Sequence, residues 1–143
     1  MTHIVRTVTV PTPIGRVAPY LSDFATTEEW DPHTESCRRL DDGTLHVGSR
    51  FENVQSGSKK PFVYTVEEYE PGRRIVLTGD NGRMDTRDEL TFTPTPDGGT
   101  AVRYTVDITL HGLRRAGQPL MPLIMKRIAD DAEDGMRERL LQL

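Results

Sequence analysis

The sequence lacks the residues that build disulfide frameworks, membrane spans or basic nucleic-acid surfaces. Cys37 is the only cysteine, which excludes an intrachain disulfide and fits a reducing compartment. No stretch is apolar for long enough to be a transmembrane helix, and the N-terminus lacks the charged and apolar regions of a signal peptide. The net charge is −4, and no run of basic residues is longer than a pair such as Lys59-Lys60. We therefore expect a soluble cytoplasmic protein with no nucleic-acid partner and no integral membrane association.

The sequence also lacks the motifs of common metal and cofactor sites. Its four histidines have no metal-ligand spacing, and Cys37 has no partner motif, so the thiol is predicted to be inert. There is no glycine-rich phosphate loop, because Gly98-Gly99 is predicted to lie in a hairpin, and no serine lies in a nucleophile elbow. We therefore predict no metal and no cofactor.

What the sequence does have is apolar periodicity over its whole length. Its 143 residues suffice for one domain with a core, which we expect to span residues 1–143. Residues 118–143 give the longest helical signal. A stripe recurs there at every fourth position, which predicts a long amphipathic helix packed on a sheet, with Gly135 as a weak point in it. The stripe consists of Leu120, Ile124, Ile128, Ala132, Met136 and Leu140.

Strand signals occupy most of the remaining chain. Residues 3–10 are rich in β-branched side chains and predict a first strand. Two short helices are predicted next, over 13–24 and from Thr26 or Thr27, either of which can cap the helix, to Trp30. The period then changes to that of strands joined by tight turns, which pair antiparallel. These strands are predicted at 34–40, 45–54, 62–69, 74–78, 84–93 and 100–110.

This order of elements, with several local motifs, resembles the START-like superfamily, which includes polyketide cyclases/dehydrases and lipid-transport proteins. The likeness covers nearly the whole chain and is closest to a polyketide cyclase-like member of bacterial type. Its motifs are structural signatures at strand edges, turns and core positions, and none is catalytic. The motifs are Pro11 and Pro13 before residues 17–24 (VAPYLSDF), then 29–32 (EWDP), 48–51 (GSRF), 68–73 (EYEPGR), 88–94 (DELTFTP) and 98–104 (GGTAVRY).

The resemblance implies an α+β helix-grip fold. In that fold a curved antiparallel sheet of six to seven strands wraps around a long C-terminal helix, and two short helices follow the first strand. It also implies a cavity between sheet and helix that holds a lipid, a polyketide or another hydrophobic or amphipathic small molecule. Some superfamily members cyclise or dehydrate the bound molecule and others only carry it. Both a monomer and a homodimer are compatible with the sequence.

Three residues are candidates for chemistry inside such a cavity. Strand alternation places Asp88 on the same face as Leu90 and Phe92, and an apolar setting raises a carboxyl pKa, as a general acid or base requires. Tyr104 and Tyr64 are predicted on inward faces, where a hydroxyl can bind a ligand carbonyl. The alternatives are a solvated Asp88 at a strand end or beyond a bulge, and core tyrosines with satisfied hydroxyls.

Further residues are predicted to line the cavity. Trp30 either packs the short helices or borders the cavity mouth, and Met121 and Met125 either fill the core or contact ligand. Residues 113–117 are a candidate flap. The remaining candidates are Thr86, on the face of Asp88, and Ser49, Phe51 and Asn53, which alternate on one face with Val47.

Three functions are compatible with these features. The first is a carrier or sensor of a hydrophobic small molecule. The second is a cofactor-independent cyclase or dehydratase that uses Asp88, Tyr64 and Tyr104. The third is a protein-interaction domain, which a large exposed apolar patch outside the cavity favours. An apolar cavity wall favours the first function, and converging polar groups with shifted pKa values favour the second.

Overall fold

The computed structural model describes all 143 residues, as seven strands and three α-helices. The strands are β1 (Thr2–Val10), β2 (Thr34–Arg39), β3 (Arg50–Gln55), β4 (Phe62–Glu70), β5 (Arg74–Asp80), β6 (Met84–Pro94) and β7 (Thr100–Leu110). The helices are α1 (Ile14–Ser22), α2 (Thr27–Trp30) and α3 (Met121–Leu140), with 3-10 segments at Phe24–Thr26 and Gly112–Leu120. None of the helices combines the length and the apolar character that a membrane crossing requires.

All seven strands form one antiparallel sheet in the order β1-β7-β6-β5-β4-β3-β2. Each strand from β2 onward pairs with the next, while β1 pairs with β7, so that Val8 lies opposite Val102. A register shift between Val66 and Glu68 interrupts the β4–β5 ladder, and such bulges increase the bend of a sheet. The sheet curls into a half-barrel, which confirms the predicted α+β fold.

The concave face of the sheet carries the core. In β6 and β7 the even-numbered residues face inward, as the alternation predicts, because successive side chains of a strand point to opposite faces. Nineteen buried residues form the main cluster, which combines strand residues such as Leu90 with Leu21 of α1 and Leu140 of α3. The layer of helices therefore closes the concave face from one side.

Two local predictions are wrong. The strand predicted over 45–54 begins only at Arg50, because Gly48 has a φ of +97°, which turns the chain and leaves Val47 exposed. The predicted side-chain cap of the second short helix does not form. Thr26 occupies the N-cap position of α2, but its hydroxyl donates backward to the Tyr20 and Asp23 carbonyl oxygens. Instead, the Asp23 side chain accepts a hydrogen bond from the Ala25 amide at 3.1 Å and caps the 3-10 segment.

The stripe predicted along the last helix is buried only in its C-terminal half. Met136 and Leu140 are buried, whereas Leu120 and Ile124 are 58% and 55% exposed. Four residues span about 400° of an α-helix, so a strict four-residue repeat rotates by roughly 40° at each step. The first members have therefore rotated away from the sheet, and Met121 is buried there instead.

Gly135 marks the closest approach of α3 to the rest of the chain. A Cβ atom added at this position would lie 2.0 Å from the Trp30 carbonyl oxygen and 3.2 Å from the Pro32 ring. Only glycine lets the helix rest on the link between α2 and β2. The residue predicted to be a weak point of the helix is therefore a packing contact.

Candidate functional site

A buried carboxylate lies in the middle of the concave face. Asp88 is 2% exposed and lies between Leu77 of β5 and Val106 of β7 in the ladder. Its Oδ2 atom accepts a hydrogen bond from the Tyr104 hydroxyl, while its Oδ1 atom is buried without a partner. The Thr86 hydroxyl is close enough to lower the pKa of this carboxyl, but no hydrogen bond of ordinary geometry reaches Oδ1.

Burial gives this pair unusual acid–base properties. Loss of solvation raises the pKa of Asp88 from 3.8 to about 6, although the hydrogen bond from Tyr104 acts in the opposite direction. Burial and the neighbouring Asp88 charge raise the pKa of Tyr104 well above its usual value. The phenol therefore keeps its proton near pH 7, where the carboxyl can gain or lose one.

Two further polar side chains belong to the same rows of the sheet. Thr86 is two residues before Asp88, and its hydroxyl is also buried without a partner. Tyr64 of β4 lies opposite Gly79, which in turn lies opposite Thr86. A Cβ atom at Gly79 would lie 2.7 Å from the Tyr64 ring and 2.9 Å from Thr86 Oγ1. The missing side chain at Gly79 thus lets Tyr64 and Thr86 approach each other. Burial raises the pKa of Tyr64 well above its usual value.

Trp30 brings the short helices to this site. Its ring meets Tyr104 edge-on, with centroids 6.0 Å apart and planes at 74°. Three buried side-chain polar atoms have no hydrogen-bond partner, and Trp30 Nε1 is one of them; the other two belong to Thr86 and Asp88. We call the buried carboxylate and the four side chains described around it the Asp88 group. All five residues were predicted from the sequence as site candidates. The group consists of Trp30, Tyr64, Thr86, Asp88 and Tyr104.

The Asp88 group lies where the apolar packing is interrupted. Trp30 and Tyr64 belong to the main cluster, whereas Thr86 lies opposite Ile108 of a second, smaller cluster of Ile108, Leu110 and Met121. Val106, the β7 partner of Asp88, is only half-buried, and so is Met125 of α3. The first turns of α3 therefore cover the concave face less tightly than the last turns do.

Residues 1–141 match the sequence family described as polyketide cyclase / dehydrase and lipid transport. The chain belongs to this family. No curated protein gives a significant match.

Solved structures show the same fold at low sequence identity. A START superfamily protein from Mycobacterium smegmatis is 14% identical, with a TM-score of 0.80 over 98% of this chain and 97% of the other. The Zhui aromatase/cyclase from Streptomyces sp. R1128 is 16% identical, with a TM-score of 0.75 over 97% and 93%. A protein from Thermus thermophilus is 18% identical, with a TM-score of 0.77 over 99% and 98%. The START-like fold predicted for this family member is confirmed.

Several residues expected to line the cavity of this family member have partners elsewhere in the chain. The Ser49 hydroxyl accepts hydrogen bonds at 3.0 Å from the Arg39 side chain and from the His46 amide, in the loop before β3. Asn53 donates to Thr27 Oγ1 at 3.2 Å and accepts from Gln55 at 2.6 Å. These two polar side chains stabilise the β2–β3 edge of the sheet.

The apolar candidates are part of the two packed clusters. Phe51 packs edge-on against Phe24, with ring centroids 6.2 Å apart. Met121 is buried in the second cluster, and Met125 packs against it. Of these three candidates, only the two methionines belong to the second cluster, against which the half-buried Val106 also packs.

Two surface depressions lie away from Asp88. One of about 430 Å³ is on the outer face of the sheet. Its lining includes polar residues such as Arg87, Asp107 and Thr109, and it also reaches Thr86 of the Asp88 group. The other, of about 320 Å³, lies between α2 and α3 and reaches Trp30 and Gly135. Neither of these two depressions borders Asp88 or Tyr104. Because Asp88 is almost completely buried, a ligand that reaches it must displace side chains or part of α3.

One cluster of possible metal-ligand atoms was not predicted from the sequence. Asp80, Asp85 and His111 place one ligand atom each within 4.8 Å of one another. His111 lies 2.7 Å from Asp85, and this hydrogen bond raises the pKa of the histidine. The three positions follow no sequence motif, because the β5–β6 hairpin and the end of β7 bring them together. The absence of a metal stays a prediction.

Proposed function

We propose that this family member binds a small amphipathic molecule on its concave face, beside the first turns of α3. The observation that carries the proposal is the unpartnered Oδ1 atom of Asp88 next to the unpartnered hydroxyl of Thr86. Buried polar atoms without partners are rare in folded proteins, and each is costly. A ligand hydroxyl or carbonyl would supply the missing hydrogen bonds.

The surroundings favour a ligand whose remaining body is apolar. Val106, Met121 and Met125 border the polar group, and methionine side chains adapt to apolar bodies of varied shape. The family description names both polyketide cyclases and lipid transport, and one structural neighbour is an aromatase/cyclase. We therefore propose a lipid or a polyketide-like molecule as the ligand class.

Native mass spectrometry of the purified full-length chain tests this proposal. We expect a bound mass that is released on denaturation, or else an increase in melting temperature with a panel of fatty acids and aromatic polyketides. Replacing the unpartnered hydroxyl, in Thr86→Val, should weaken binding at least tenfold, because the ligand loses a buried hydrogen bond. The matched control is Thr93→Val, at an exposed threonine of the same strand.

Two results would contradict the proposal. One is a bare protein whose melting temperature no member of the panel changes. The other is equal affinity in the Thr86→Val and Thr93→Val variants, which would place the ligand elsewhere on the chain.

A second candidate function is acid–base catalysis on the bound molecule. It is favoured by the Asp88 pKa of about 6 and by the hydrogen bond that Tyr104 donates to this carboxylate. In an aldol cyclisation, a base removes a proton from the carbon beside one carbonyl. That carbon then bonds to a second carbonyl carbon, and the resulting alkoxide takes up a proton. In this mechanism Asp88 would accept the first proton. Once Asp88 is neutral, the single O–H of Tyr104 could leave it and donate a hydrogen bond to the developing negative charge.

The Asp88→Asn variant separates catalysis from binding. If Asp88 is the base, this variant retains ligand affinity within a few-fold and loses at least a hundredfold in turnover of the bound polyketide-like substrate. The rate of the unaltered protein should rise with pH around 6. Unchanged turnover in Asp88→Asn would show that Asp88 is not the base, and binding would be the only function supported.

A further inference from the structure

The start of α3 and the 3-10 segment before it carry an exposed apolar surface. Leu113 is 99% exposed, Leu123 76%, Leu120 58% and Ile124 55%. Among residues 112–127 only Met121 is buried. We call this stretch the α3 tip, and it exposes four of the seven large apolar side chains that the molecule leaves in solvent.

The apolar side chains of the α3 tip form an ordered face. Leu120, Leu123 and Ile124 are three and four residues apart, so they lie together on one side of the helix. Met121 and Met125 lie further around the axis, on an adjoining side, and pack in the second cluster on the sheet. The helix therefore has two apolar faces in its first turns, and the fold covers only one of them.

The α3 tip is also the most cationic stretch of an acidic chain. It holds four of the 18 Lys and Arg residues and none of the 22 Asp and Glu residues. All four cations are exposed. Lys126 pairs with Asp130 at 3.0 Å, while the side chains of Arg114, Arg115 and Arg127 have no ion-pair partner in the chain. Exposed leucines with unpaired arginines are the composition of an interfacial membrane helix.

We propose that the α3 tip docks on the surface of an anionic lipid bilayer. The leucines and Ile124 would enter the boundary between headgroups and acyl chains, and the arginines would contact lipid phosphates. A symmetric dimer through this surface is disfavoured, because it would place the four cations of one copy against those of the other.

The second half of α3 fixes the orientation of docking. Asp130, Asp131, Glu133, Asp134 and Glu138 follow the cations along the helix, and an anionic surface repels them. The helix therefore meets the bilayer with its N-terminal end, where the helix dipole is also positive. This end of α3 carries Met121 and Met125, which face the sheet. Docking would therefore direct the less tightly covered part of the concave face toward the lipid.

Sedimentation of the full-length chain with large unilamellar vesicles tests the proposal without any ligand. We expect binding to vesicles of phosphatidylcholine with about 30% phosphatidylglycerol, weaker binding at about 0.5 M salt, and little binding to phosphatidylcholine alone. The test is independent of the ligand proposal, because a failure of ligand binding leaves vesicle binding unaffected, and the reverse also holds.

Two sets of variants, each with a control, identify the surface. Leu113→Ser with Leu123→Ser should lower the partition coefficient at least tenfold, and the control is Leu141→Ser, at a leucine 56% exposed outside the α3 tip. Arg114→Gln, Arg115→Gln and Arg127→Gln together should lower it about a hundredfold, at about fivefold per charge. Their control replaces the exposed Lys59, Lys60 and Arg103 by glutamine. All these positions are exposed, so each variant is expected to fold.

Three results would overturn the proposal. One is equal binding to neutral and anionic vesicles, and another is equal loss in the variants and their controls. The third is a stable dimer in analytical ultracentrifugation that Leu113→Ser with Leu123→Ser dissociates, because the surface would then be covered by a second copy.

Discussion

Asp88 combines two properties that conflict in a simple core. It is almost completely buried, yet one of its carboxylate oxygens has no partner. Its folded-state pKa of about 6 lies above the ordinary 3.8, so the protonated form of Asp88 is favoured more in the folded protein than in the unfolded chain. Residues with this combination cluster at functional sites, because their burial is a cost that the fold must offset.

The stability of the protein should depend on pH through this residue. Because the folded pKa is raised, the Asp88 contribution is complete below about pH 4 and is lost as the pH rises through about 6. The difference between folded and ordinary pKa corresponds to about 3 kcal/mol. Asp88→Asn stays neutral and can still accept the Tyr104 hydrogen bond, so it should be more stable than the unaltered protein at pH 8 but not at pH 4.

Chemical denaturation at a series of pH values from 4 to 8 measures this effect. The control is Asp42→Asn, which makes the same substitution at an exposed position. A constant difference between the unaltered protein and Asp88→Asn across the series would show that Asp88 does not titrate in this range.

Helix α3 is one element with two differently packed halves. Its C-terminal half is fixed by Met136 and Leu140 in the core and by Gly135 on the Trp30 carbonyl. Its N-terminal half is held chiefly by Met121 and Met125. The element is therefore anchored at its end and loosely held at its beginning.

Gly135→Ala should destabilise the protein although alanine favours helices. The added Cβ atom would lie 2.0 Å from the backbone oxygen of Trp30, so the helix must shift. We expect a loss of at least about 2 kcal/mol in the free energy of unfolding. Gly15→Ala in α1 is the control, because nothing lies within 4 Å of the added atom, and it should gain about 0.5–1 kcal/mol. Urea denaturation measures both, and a neutral Gly135→Ala would contradict the packing described.

Strands were easier to predict from the sequence than the packing of this helix. β7 has the predicted bounds, 100–110, because each alternate residue from Val102 to Leu110 is apolar. The strand predicted from residue 45 starts late because a positive φ at Gly48 cannot be read from alternation. On α3, Ile124 and Ile128 fit the same stripe in the sequence, and only the angle at which the helix crosses the sheet decides which is covered.

For the candidate site, the sequence predicts which side chains face inward but not their hydrogen bonds. Alternation places Asp88 and Tyr104 on the inner face, but it does not show which carboxylate oxygen lacks a partner, since that depends on side-chain rotation. Ser49 was expected beside Phe51 on a strand, and the turn at Gly48 places its hydroxyl between Arg39 and His46 instead.

At the scale of the whole molecule, stability is distributed unevenly around the sheet. β7 lies inside the sheet, paired on both sides by β1 and β6, whereas residues 112–120 form a 3-10 segment with no buried residue. Hydrogen exchange should therefore be at least a hundredfold slower for the amides of β7 than for those of residues 112–120. Mass spectrometry of peptic peptides measures this ratio, and equal rates would contradict a loosely held start of α3.

The pairing of β1 with β7 has a consequence for biosynthesis. The ribosome releases the first strand about ninety residues before the strand beside which it must lie, since Val8 faces Val102. Until then the β-branched residues of β1 have no partner in the sheet, and the nascent chain depends on slow, long-range closure. A messenger truncated before codon 100 would thus yield chains with an open sheet edge, which are expected to aggregate or to be degraded.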